Sequence, residues 1–251
     1  MCAPAQAAPD VYTTLPWITS MARFIVGSTL NIRPLSSWTE AGTLRNARRV
    51  PDDGVLIALD PSDARRYNIS PDRKGLYFLY ENMPLPDGQR TSLAFDASAL
   101  PFLSQRLLIV VSSLLPENYS FYQRRLAEFQ SRMESTLEVG RSQLQGMKIL
   151  DLSGAASPWV RAAAFEAVRP PEYLWTAWTR GEHLRELSLA IDEVYRRKWW
   201  IVTDAWTPRH IQDAVSGVSK KIYISPPAED QDFFAYLHDI YLQMWNLLEK
   251  R

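Results

Sequence analysis

Ile149-Leu150-Asp151-Leu152-Ser153-Gly154-Ala155-Ala156-Ser157-Pro158-Trp159 passes from an apolar run, through an acid and a tract of small residues, to Pro158 and Trp159. The run is short and continuous, as in a strand buried on both faces. Pro158 suits the first position of a helix, where its missing N–H costs nothing. The stretch therefore predicts a strand over 148–152, a turn, and a helix starting at Ser157 and running toward Val168. Strand, turn and helix form the unit from which an α/β domain is assembled.

The same unit recurs on either side. Toward the N-terminus, Leu107-Leu108-Ile109-Val110-Val111 reads as another buried strand. A long helix follows, with Tyr122, Leu126, Phe129, Met133 and Leu137 three or four residues apart, Asn118 as its cap and Gly140 at its end. Toward the C-terminus, the pattern predicts helices over 182–197, 209–215 and 232–249, and strands over 199–203 and 221–225. This alternation specifies an α/β fold, three-layered and Rossmann-like, with a largely parallel sheet over residues 101–251. Residues 1–20 read as an irregular arm and 21–100 as a β-rich part. In that part, Arg23 to Val26, Val55 to Leu59, Leu76 to Tyr80 and Ser92 to Phe95 are strand candidates at hairpin-scale spacing. No internal repeat is visible in the sequence.

Composition excludes several classes. The 251 residues carry 28 Lys+Arg against 28 Asp+Glu. The chain lacks the strongly basic balance expected of a nucleic-acid-binding surface. The single cysteine, Cys2, allows no internal disulfide and no cysteine-based zinc site. His183, His210 and His238 are far apart, with no second histidine one helical turn away, so no metal is predicted. No apolar run is long enough to span a bilayer, and the opening residues lack the basic and apolar regions of a secretory signal. These features predict an intracellular, cytoplasmic protein without a membrane partner.

Chemistry in an open α/β sheet gathers at the carboxyl ends of the strands. An acid there, followed by small residues and a helix N-terminus, allows a ligand to approach the backbone closely. The 149–159 stretch resembles the first motif of FtsJ-type AdoMet-dependent 2′-O-methyltransferases, with Asp151, Leu152, Ala155 and Trp159 in register. Ser157 and Pro158 replace the family's glycines. Trp200 to Pro208 resembles the same family's strand ending in a catalytic aspartate, here Asp204, and Ser225 stands where that family has a catalytic lysine. The resemblance covers about 100 residues. It implies S-adenosylmethionine as cofactor, held by Asp151, Gly154, Ala155 and Trp159, with Asp204 as the catalytic residue. The implied domain, intact or degenerate, binds AdoMet, nucleic acid or both.

Two alternatives stand beside it. Ser28, after the apolar run ending at Val26-Gly27, together with Asp204 and His210, follows the plan of an SGNH-type serine esterase. The absence of an intact catalytic set favours instead a non-catalytic structural or interaction subunit, working with a protein partner or as a homo-oligomer. Seven of the nine tryptophans lie in the last 93 residues, and four of these, Trp159, Trp199, Trp200 and Trp206, border predicted strand ends. A binding site is therefore expected among the C-terminal indoles.

Overall fold

Asp10–Thr13 forms the first strand, β1, of the computed structural model, which describes residues 10–51, 54–80, 96–228 and 230–249. Helix α1 (Pro16–Val26) follows, then β2 (Asn31–Pro34), a short antiparallel pair β3 (Ser36–Trp38) and β4 (Leu44–Asn46), β5 (Val55–Ala58), α2 (Pro61–Arg65) and β6 (Leu76–Phe78). Strands β1, β2, β5 and β6 make one parallel sheet in the order β2-β1-β5-β6. Alternation of strand and helix thus begins at residue 10, within the stretch read as an arm. The first part is itself α/β: α1 crosses from β1 to β2 and α2 from β5 to β6, with the β3–β4 hairpin inserted between β2 and β5. The strand candidate over 92–95 lies outside the described residues.

Two apolar runs read as strands are helical. Arg23 to Val26 is the last turn of α1, whose start is marked by Pro16 and whose buried face carries Trp17, Met21, Phe24 and Ile25 at helical spacing. Leu107 to Val111 lies inside α3 (Leu100–Leu114). A strand buried on both faces would hide Ile109, whereas the helix turns it outward at 52 % exposure. Four or five apolar residues do not separate the two conformations; length and flanking prolines do.

After the 3-10 turn Pro116–Asn118, helix α4 (Tyr119–Gln143) runs for 25 residues, about 37 Å at the usual rise. It buries the predicted Tyr122, Leu126, Phe129 and Met133. Gly140 does not end it. A Cβ at that position would stand 2.7 Å from the ring of Tyr241 and 3.0 Å from Ala163, so the glycine is where helices pack backbone to ring.

The second half contains β7 (Lys148–Asp151), α5 (Ser157–Ala163), β8 (Glu166–Val168), α6 (Glu172–Thr179), α7 (Leu184–Arg197), β9 (Trp200–Asp204), α8 (Arg209–Ala214), β10 (Lys221–Ile224) and α9 (Phe233–Glu249). Its sheet is again wholly parallel, in the order β10-β9-β7-β8. In order of appearance within each half, both sheets run second, first, third, fourth. The repeat that the sequence does not display is therefore present as topology, and the molecule is an α/β protein of two parallel-sheet lobes.

One apolar core runs through both lobes, with Phe129 of α4 touching Phe24 of the first (5.5 Å between centroids) and Phe233 and Phe234 of the second (5.9 and 5.1 Å). A smaller cluster lies on the outer face of each sheet, around Leu56 in one and Ile201 in the other. Among the described residues no helix is long and apolar enough to cross a membrane.

Candidate functional site

In each sheet the connections reverse direction beside its first strand, which opens a crevice at the carboxyl ends of β1 and β5 in one lobe and of β7 and β9 in the other. Asp151 and Asp204 end the adjacent strands β7 and β9, so the structure brings them to the same edge of the sheet. Both are 0 % exposed. Asp204 accepts hydrogen bonds from the amides of Gly154 and Ala156 (both 2.9 Å) and Trp206 (3.0 Å), and from the Thr207 hydroxyl (2.9 Å). Burial pushes its carboxyl above the ordinary value, against the lowering effect of those amides, and the neighbouring Asp151 charge adds to the rise. Asp151 accepts from the amide and hydroxyl of Ser153, the hydroxyl of Ser157 and, at 3.4 Å, the guanidinium of Arg169. Arg169 in turn donates to the Ser153 carbonyl at 2.8 Å and lies 4.2 Å above the Trp175 ring.

These bonds use the carboxylate oxygens to hold the 153–157 turn against β9. Gly154 is placed by the same packing: a Cβ there would stand 3.0 Å from Trp206. Trp159 is fully buried, 5.5 Å from Phe233, and Ala155 is half-buried against the core. Asp151, Gly154, Ala155, Trp159 and Asp204 therefore sit together as a braced turn.

Ser28, Asp204 and His210 are not assembled. Ser28 is exposed in the turn after α1, a helix and not a strand, and His210 Nε2 is bonded to the Trp178 carbonyl. No hydrogen bond joins any two of the three among the described residues.

The lobes meet through rings. Trp206, just beyond β9, packs edge-to-face on Trp38 of β3, with centroids 5.3 Å apart at 85°. Trp38 continues to Trp17 of α1 (6.4 Å), and Trp17 to Phe233 and Tyr236 of α9 (5.6 and 5.4 Å). Beside this seam is a cavity of about 650 Å³, within the size range of small-molecule sites. Its walls come from α1 (Trp17, Arg23), β3 and the segment beyond β4 (Ser37, Trp38, Arg48), α4 (Arg125, Arg132) and the segment entering α9 (Asp230, Asp232). Sequence reading placed the site among the C-terminal indoles and missed Trp17, Trp38 and the four arginines. Their convergence depends on the first lobe's crossovers, which no local pattern displays.

No protein-family model matches the sequence, and no curated protein is similar to it in sequence. Solved structures are similar in fold. A crystal structure of ZnuA superposes with a TM-score of 0.68 at 11 % identity, over 95 % of this chain and 98 % of that one. A Zn(II)-bound AdcAII variant of Streptococcus pneumoniae gives 0.67 at 13 %, over 96 % and 98 %. A Cd-bound periplasmic metal-binding protein from Candidatus Liberibacter asiaticus gives 0.64 at 10 %, over 96 % and 99 %. This chain has their fold.

That finding corrects several expectations. The resemblance of residues 148–251 to FtsJ-type methyltransferases is overturned, and with it the methyltransferase reading and S-adenosylmethionine as cofactor, because these neighbours match along nearly the whole chain and are two-lobed. The prediction of no metal loses its footing beside zinc- and cadmium-bound neighbours. The cytoplasmic expectation gives way similarly, since one of those neighbours is described as periplasmic. Among the described residues no group of three or more His, Cys, Asp or Glu side chains could hold a metal ion, so the residues lining this cleft do not fit one.

Proposed function

We propose that the chain is a non-catalytic binding protein that takes a ligand between its two lobes and acts through a protein partner. The observation that carries this reading is the cavity itself, walled by both lobes and by the helix that links them. Its position agrees with the general rule that ligands sit at domain interfaces and beyond the carboxyl ends of parallel strands. The carboxylates that an enzyme reading would use are already engaged by the 153–157 turn, which argues for recognition over turnover. Zinc and cadmium are bound by the structural neighbours, so divalent cations are tested beside other solutes although the lining of this cleft does not fit a metal ion. Surface for a partner is available on the second lobe, where Phe165 is 96 % exposed and Tyr173 and Tyr195 project into solvent.

The test is a thermal-shift and equilibrium-dialysis survey of the intact chain. It covers zinc, manganese and cadmium ions, organic acids, sugars and amino acids. Saturable stabilisation by one class, lost in Trp38→Ala, supports the reading. Binding by no class, or binding that survives both Trp38→Ala and Trp17→Ala unchanged, overturns it.

A further inference from the structure

The interlobe cavity holds more positive charge and more idle hydrogen-bond donors than its packing needs. Four arginines, Arg23, Arg48, Arg125 and Arg132, line it against two aspartates. Asp230 is engaged by Arg23 at 2.7 Å. Asp232 accepts from the amides of Phe234 and Ala235 at the start of α9. Arg125 and Arg132 share one carboxylate, Glu128, at 2.5 and 3.5 Å, and both guanidiniums lie over the Phe24 ring, at 4.3 and 5.5 Å. Arg48 makes no ion pair among the described residues. Two residues of the same lining also carry buried donors without a partner: the Ser37 hydroxyl, on a residue only 7 % exposed, and the Trp38 indole N–H.

A buried donor without an acceptor is destabilising, so each such group in a folded protein calls for a physical reason. A ligand that brings the acceptor supplies one. Guanidinium groups match carboxylate and phosphate oxygens in geometry as well as charge, and such bonds are roughly twice as strong as neutral ones. The aromatic faces of Trp17 and Phe24 in the same lining suit an apolar body.

We propose that this cavity binds a small organic anion, its carboxylate or phosphate held by Arg48, Arg132 and the donors of Ser37 and Trp38, and its apolar body set against Trp17. The proposal rests on the interlobe-binding reading above and names the class of its ligand.

Isothermal titration of the intact chain with benzoate, phenyl phosphate and their neutral counterpart benzyl alcohol tests it. Saturable binding of an anion, with benzyl alcohol silent, is the expected result, and the stronger of the two probes identifies the head group. Arg48→Ala weakens that binding about tenfold, as loss of one charge-assisted bond should, and Ser37→Ala weakens it less. Arg196→Ala, at the far end of α7, leaves it unchanged. Equal binding of benzyl alcohol overturns the proposal, as does wild-type affinity in both Arg48→Ala and Arg132→Ala with their melting temperatures intact. Silence of both anions while a cation or a sugar binds between the lobes sinks the anion alone; silence of every solute sinks the interlobe reading with it.

Discussion

Trp38, the last residue of the hairpin strand β3, and Trp206, two residues beyond β9, come from opposite lobes and meet edge-to-face, ring centroids 5.3 Å apart. The contact ties one lobe to the other. Edge-to-face pairs contribute about 0.5–1.5 kcal/mol beyond the area they bury. A double-mutant cycle of Trp38→Ala and Trp206→Ala, read by urea unfolding, should return a coupling of about 1 kcal/mol. Additive single effects would mean that the rings are neighbours without being partners.

Asp204 should prove structural. Asp204→Ala leaves three amides without their acceptor in a closed setting, while the Thr207 hydroxyl keeps only the Leu152 carbonyl at 3.0 Å. A loss of about 3 kcal/mol is expected from chemical denaturation, since several buried donors lose a charged acceptor at once. A variant as stable as the parent would contradict the braced-turn account of Asp151 and Asp204.

Gly140 sets the distance between α4 and α9. Gly140→Ala would place a methyl group 2.7 Å from the Tyr241 ring and 3.0 Å from Ala163, so one of the helices has to shift. Overpacking of this kind costs about 1–3 kcal/mol, and the gain in helix propensity of about 1 kcal/mol offsets part of it. Differential scanning calorimetry should show a lower melting temperature; a rise would show that the helices yield freely.

Burial pushes the phenols of Tyr236 and Tyr241 well above their ordinary value, while in the unfolded chain they ionise near pH 10. The folded state therefore holds these protons when the unfolded state has lost them. Stability falls as pH rises above 10, by about 1.4 kcal/mol per pH unit for each phenol until the folded value is reached. Tyr241→Phe should flatten the alkaline limb of a stability–pH profile relative to the parent, with little effect on its slope near neutrality. An unchanged limb would mean that the phenol ionises as easily in the folded chain.

Much of the second lobe was legible because its strands are short apolar runs followed by turn residues, and its helices carry stripes of three- and four-residue spacing. The first lobe was misread where apolar runs of four or five residues, Arg23 to Val26 and Leu107 to Val111, gave no periodicity with which to tell strand from helix. Pro16 and Pro101, near the starts of those helices, were the signals available. Asp151 and Asp204 were expected at strand ends, but whether a carboxylate faces a ligand or a backbone amide is decided by the path of the 153–157 turn. The motif contains the same residues in either case. The arginine-lined cavity was invisible for a different reason. Its walls come from segments as far apart as Trp17 and Asp232, and only the packing of both lobes on α4 brings them together.

The aromatic seam also fixes an order in biosynthesis. Trp17 and Phe24 of α1 are covered by Phe233, Phe234 and Tyr236 of α9, which are synthesised long after them. Until those residues emerge, helix α1 presents an indole and a phenyl ring to the surrounding solvent. Between the synthesis of α1 and that of α9 the nascent chain carries a sticky, half-finished first lobe, a condition that favours chaperone capture or aggregation. A stop codon or a proteolytic nick before α9 would remove more than one helix, because it would also uncover α1 in the other lobe.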